Sequence, residues 1–209
     1  FVASSSTLPA QPSSSSIWTD LATIEIKYLV AGPSPLGRVL NYVRRIREGT
    51  YTTIRRGPRG ADNLDRWTVY AMVGLSLVQR LEDTSKTLRL TRTGESVYPR
   101  LLAFDEFPEE EDRLTVQQIR GRILAQDEEL YHLLRDIFLA SPSLQALLTY
   151  LRSLDLPLRL KDLYTQFAQF CPEMNKVTAE HRLPGLLRIA EFCGVINWDS
   201  DGRLMLADS

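Results

Sequence analysis

Hydrophobic and polar positions along this chain follow two periods. Leu36, Val39, Leu40, Val43 and Ile46 recur at helical spacing, which predicts an amphipathic helix over 36–48. Arg38, Arg44, Arg45 and Arg47 fall largely elsewhere on its wheel, and Gly49 suits a C-cap. Residues 17–31 fit an earlier amphipathic helix, which Gly32-Pro33-Ser34-Pro35 interrupts. Residues 50–60 are polar, basic and Gly/Pro-containing, hence an exposed loop. Asp62 or Asn63 then caps a helix running to about Gly74. The pattern changes at 77–81 and 87–91, which predict two short strands about a polar turn at 82–86. A short closing helix follows at 96–102, broken by Pro99.

Residues 103–113 are strongly acidic and read as a boundary. Beyond them, helical patterns cover 115–127, 128–140, 143–154 and 159–170. A loop at 171–175 leads to a fifth helix over 183–194, with Pro184 in its first turn. The chain closes as strand 195–198, turn 199–202 and strand 203–207.

Both halves end alike, in helix, glycine, strand, polar turn and strand. Three helices followed by a two-stranded hairpin is the order of a winged helix, a variant of the helix-turn-helix. The helices bury a small core and the hairpin covers its open side. Gly74 and Gly194 are expected to let the chain leave the last helix in a left-handed conformation. The expected fold is therefore mainly α, with two tandem winged-helix units that each carry a small β-hairpin. Residues 1–16 form a Ser/Pro-rich arm or linker, and 17–102 the first, DNA-binding unit. Residues 103–113 form an acidic linker and 114–209 the second unit.

Composition narrows the class. The chain has 209 residues, 44% hydrophobic and 24% charged, which argues against a disordered polymer. No apolar run approaches the roughly 20 residues of a membrane helix. Cys171 and Cys193 are too few for a disulfide framework, so both read as reduced core residues of a cytoplasmic protein. The chain begins at Phe1, as expected of a fragment or processed product.

The net charge of −1 conceals an uneven distribution. Residues 34–100 hold 13 Lys/Arg against 6 Asp/Glu, whereas residues 101–209 hold 11 against 18. A basic first half suits a polyanionic partner.

Residues 62–98 resemble the first recognition subdomain of FokI-like type IIS restriction endonucleases. The resemblance rests on Asp62-Asn63, Trp67, Ala71, Gly74-Leu75, the polar turn at 82–86, and Leu90-Thr91 followed by Gly94. Residues 128–151 are similar to the join into that family's second subdomain, where paired helices lead to a small residue plus proline. The resemblance implies a module that reads double-stranded DNA for a larger restriction or defence nuclease, with cleavage carried out by a separate nuclease domain.

DNA binding needs cations at phosphate spacing and side chains that reach base edges. Arg55, Arg56 and Arg59 precede the recognition helix, between glycines that permit close approach. On that helix Asn63, Arg66 and Tyr70 share a face. Asn63 suits adenine or an N-cap. Arg66 suits guanine or an ion pair with Asp62 or Asp65. Trp67 and Val69 read as core. Arg44, Arg45 and Arg47 are phosphate candidates or a solvated face. Lys86, with Arg89 and Arg92, offers cations at the wing. In the second unit Lys176, His181 and Arg182 are the candidates, while the acidic turn 199–202 would repel DNA.

No catalytic, metal-binding or cofactor-binding residues are expected. The run Glu109-Glu110-Glu111-Asp112 reads as a solvated stretch, and His132 and His181 lack a nucleophile partner. No nucleotide-binding or hydrolase motif occurs. The alternatives are a winged-helix docking or dimerisation module and a transcriptional regulator, with a hydrolytic enzyme last.

Overall fold

The computed structural model describes residues 35–47, 66–80, 88–110, 112–170 and 176–207. The expected helix at 17–31, the 50–60 loop, the 82–86 turn and the 171–175 loop lie outside them. Cys171 also lies outside.

Among the described residues the chain is mainly helical with small antiparallel sheets. Helix α1 (Leu36–Arg47) and α2 (Arg66–Gly74) precede a hairpin of β1 (Val78–Arg80) and β2 (Leu88–Leu90). Helices α3 (Arg92–Leu101), α4 (Arg113–Gln126), α5 (Glu128–Leu139) and α6 (Pro142–Arg152) follow. Strand β3 (Leu158–Arg159) leads into α7 (Leu160–Phe170) and α8 (Lys176–Phe192). Strands β4 (Ile196–Trp198) and β5 (Arg203–Leu206) end the chain's ordered elements. No helix among them is long and apolar enough to cross a membrane.

The apolar stripe of α1 faces inward as its spacing requires: Leu36, Val39, Leu40, Val43 and Ile46 are all buried. The two expected hairpins are present. Val78 pairs with Leu90 in the first, and Ile196 pairs with Leu206 in the second. The second sheet has a third strand that the pattern did not announce. Leu158 pairs with Leu204, which gives the order β3-β5-β4. Two residues are too short a run to carry a strand period, so only the pairing reveals it.

Three expectations about helix ends are corrected. Helix α3 starts four residues early, at Arg92, because Thr91 accepts from the Gly94 amide at 3.0 Å. It runs through Pro99, which costs a single bond near its last turn. Helix α8 starts at Lys176 rather than 183, so Pro184 stands inside it. The exit from α2 also differs. Gly74 is helical, and the left-handed residue is Ser76, with φ 56. There the Ser76 amide donates to the Val73 carbonyl and the Leu77 amide to that of Met72, both at 2.9 Å. At the end of α8, Gly194 has φ 72. Its amide donates to Glu191, and the Val195 amide donates to Ala190. These are two copies of one Schellman exit, aligned on Ser76 and Gly194 rather than on two glycines.

A single connected core runs from Leu36 to Leu204. The acidic segment between α3 and α4 contributes to it. Phe104 and Phe107 are buried and stacked at 5.6 Å. Asn41, itself buried, donates to the Phe107 carbonyl at 3.0 Å and accepts from its amide at 2.9 Å. Gly37 lets this segment lie against α1, because a Cβ there would come within 1.9 Å of the Pro108 carbonyl oxygen. Arg100 ties α3 to α5 through Asp127 at 2.6 Å and through Glu129.

Candidate nucleic-acid interface and a donor-lined cavity

The acidic segment changes the electrostatics of α1. Arg38 donates from Nε to Glu109 at 2.8 Å, and Arg45 from Nη2 to Glu106 at 3.1 Å. The Arg45 guanidinium also lies 5.7 Å from the Tyr42 ring centre. Glu109 additionally accepts from Asn41 at 3.3 Å. The carboxylates at 106 and 109 are therefore partly spent on arginines of the same chain, not simply solvated. Arg44 is half-buried, and its Nε has no hydrogen-bond partner among the described residues.

Only part of the expected DNA face can be located. Arg55, Arg56, Arg59, Asn63 and Lys86 lie outside the described residues. Arg66 opens α2, and Lys176 and Arg182 lie on α8, with side chains that are likewise outside. Tyr70 stands one turn beyond Arg66 and is 8% exposed, so its ring has little surface to offer a groove. Val69 is fully buried, as its place in the apolar pattern requires. Arg89 and Arg92 are exposed at the first hairpin and the start of α3. His181 is exposed on α8. His132 is exposed on α5, 3.6 Å from Glu128.

A second cluster has no counterpart in the sequence reading. A cavity of about 390 Å³ opens between α4, the end of α8 and the β4–β5 hairpin. Its anchor is Glu191, whose side chain is 7% exposed. One carboxylate oxygen accepts from Arg113 Nε at 3.2 Å and from Gln117 Nε2 at 3.3 Å. The other accepts from Arg188 at 3.3 Å. Two arginines thus offset one buried carboxylate, as a charge at this depth demands. Arg113 also lies over the Trp198 indole, 4.8 Å from its centre.

Two residues that line the cavity each carry a leftover donor. Trp198 Nε1 and Arg120 Nε are buried with no hydrogen-bond partner among the described residues. The Arg120 guanidinium lies 5.5 Å from the Tyr131 ring centre and makes no hydrogen bond or ion pair among the described residues. It also passes over Gly194, where a Cβ would sit 3.1 Å from Nη2. The sequence held one usable signal. Arg113, Gln117 and Arg120 recur at helical spacing, so they share a face of α4 with Val116. What they face is set by the fold.

Next to this cluster, burial pushes the Cys193 thiol up to about 12, against the opposing pull of Arg135 and Arg120. Among the described residues no three His, Cys, Asp or Glu side chains converge as metal ligands would. Comparison with protein-family models, with curated proteins and with solved structures returns no match to this chain.

Proposed function

We propose that this chain is a cytoplasmic module that binds double-stranded DNA sequence-specifically through two tandem winged-helix units, as the reading part of a larger restriction or defence nuclease. The observation that carries this reading is the element order α6, β3, α7, α8, β4, β5, with β5 lying between β3 and β4. That order supports a winged helix, in which a short strand after the first helix completes the sheet of the wing. The matching Schellman exits at Ser76 and Gly194 support a first unit of the same design.

Because Arg38 and Arg45 already hold Glu109 and Glu106, the first unit's contacts are assigned to Arg55, Arg56 and Arg59 and to Asn63 and Arg66. The exposed Arg89 and Arg92 supply phosphate contacts at the wing. The second unit, acidic in total, contributes less.

Fluorescence anisotropy of a partly randomised DNA duplex, at several salt concentrations and with selection of the bound pool, tests the reading. Binding is expected to weaken steeply with salt and to enrich a short motif. Replacing Arg55, Arg56 and Arg59 by alanine lowers affinity for every sequence, whereas Asn63→Ala or Arg66→Ala relaxes the motif. Absence of binding at low salt defeats the proposal and favours a protein-docking module.

A further inference from the structure

We propose that the cavity beside Trp198 is a binding site for a small aliphatic carboxylate. The site does not depend on DNA binding. Three features define the ligand.

The first is the leftover donors. A buried N–H without a partner loses its hydration and gains nothing in return. Here two such groups, Trp198 Nε1 and Arg120 Nε, belong to residues that line one cavity. Arg120 brings an entire guanidinium with no acceptor on the described chain. An oxyanion is the group that satisfies both an indole N–H and a guanidinium fork.

The second is charge. Glu191 is buried at the same cavity, held by Arg113 and Arg188. A dianion would face this carboxylate at close range in a poorly screened setting. A monoanion meets less of that repulsion and pairs with Arg120, which makes no ion pair among the described residues. Repulsion by the buried Glu191 carboxylate therefore favours a carboxylate over a phosphate monoester.

The third is the wall. Val116 and Met205 line the cavity with aliphatic surface, alongside the Trp198 ring. Arg113 already covers that ring, so the site suits an aliphatic stem rather than a stacked planar base. A volume of about 390 Å³ accommodates a short-chain acid.

The test uses the full chain and sodium hexanoate as the probe. Three tryptophans give three indole N–H resonances, and Trp198→Phe identifies the one that belongs to Trp198. Hexanoate is expected to move that resonance downfield and saturably. Arg120→Gln weakens binding about tenfold or more. Trp198→Phe, which keeps an aromatic ring beneath Arg113, weakens binding about threefold by calorimetry. A peptide ending in leucine, titrated in parallel, separates a C-terminal carboxylate from a free acid as the source. No saturable movement at about 20 mM hexanoate overturns the site. Inorganic phosphate binding as tightly as hexanoate overturns the assigned class. Unchanged affinity in both variants overturns the assigned donors.

Discussion

Asn41 holds the backbone of Phe107 in both directions, donating to its carbonyl at 3.0 Å and accepting from its amide at 2.9 Å. An amide side chain thus takes the place of a strand partner for an isolated stretch of backbone. The contact is buried, joins positions 66 residues apart, and seats the acidic segment on α1. Replacing Asn41 by leucine removes both bonds and leaves the Phe107 amide and carbonyl buried without partners. The expected cost is about 3 kcal/mol, read from urea unfolding, with Arg38 and Arg45 losing their acidic partners as the segment lifts.

The two helix exits give a paired prediction. Ser76 holds φ 56, a conformation that a Cβ disfavours, whereas Gly194 holds φ 72 without that penalty. Ser76→Gly should stabilise the protein by about 0.5–1 kcal/mol. Gly194→Ala should destabilise it by about 1 kcal/mol or more, because it adds strain and presses on Arg120. Thermal midpoints that move in the same direction for both variants would contradict the shared exit.

Asp112 caps α4, accepting from the Thr115 amide at 2.7 Å and from its hydroxyl at 3.1 Å. The backbone hydrogen bond from Thr115 holds its carboxyl below the ordinary value. A depressed folded value contributes stability above the ordinary carboxylate range. That contribution is lost as pH falls through the folded value. Asp112→Asn should therefore lower stability at neutral pH and flatten the acid limb of the stability–pH profile, the two proteins converging as pH falls through the folded value. Chemical denaturation at a series of pH values measures this.

Cys193 is buried, with its thiol pushed up to about 12 chiefly by desolvation. The thiolate is the reactive form, so Cys193 should resist a disulfide reagent at pH 8 until the protein unfolds. Its labelling rate in a Cys171→Ala background should follow the global unfolding equilibrium. Fast labelling under native conditions would show that the core around α8 opens locally.

Much of this architecture was legible from one sequence. The periodic stripe of α1 placed its five core residues correctly, because a helix with one buried face repeats its apolar positions every 3.6 residues. Both hairpins were legible for the same reason at period two. Helix ends were less so. The start of α8 was placed seven residues late because Pro184 resembles a first-turn proline, and only the observed helix shows it tolerated in the interior. The exit at Ser76 was misplaced because glycine is the usual left-handed residue, and serine took the position instead.

The sequence by itself determined the mainly helical class, the order of helices and hairpins, and the division into a basic and an acidic half. These depend on local period and composition, which neighbouring residues carry between them. Only the tertiary structure decided that Asn41 clasps Phe107, that Glu106 and Glu109 answer Arg45 and Arg38, and that β3 joins β5. It alone brought Arg113 and Arg120 to Glu191 and Trp198. Each of these pairs residues more than forty positions apart, with no shared period to announce them. Their meeting follows from how the helices pack around one core, and packing is a property of the whole chain.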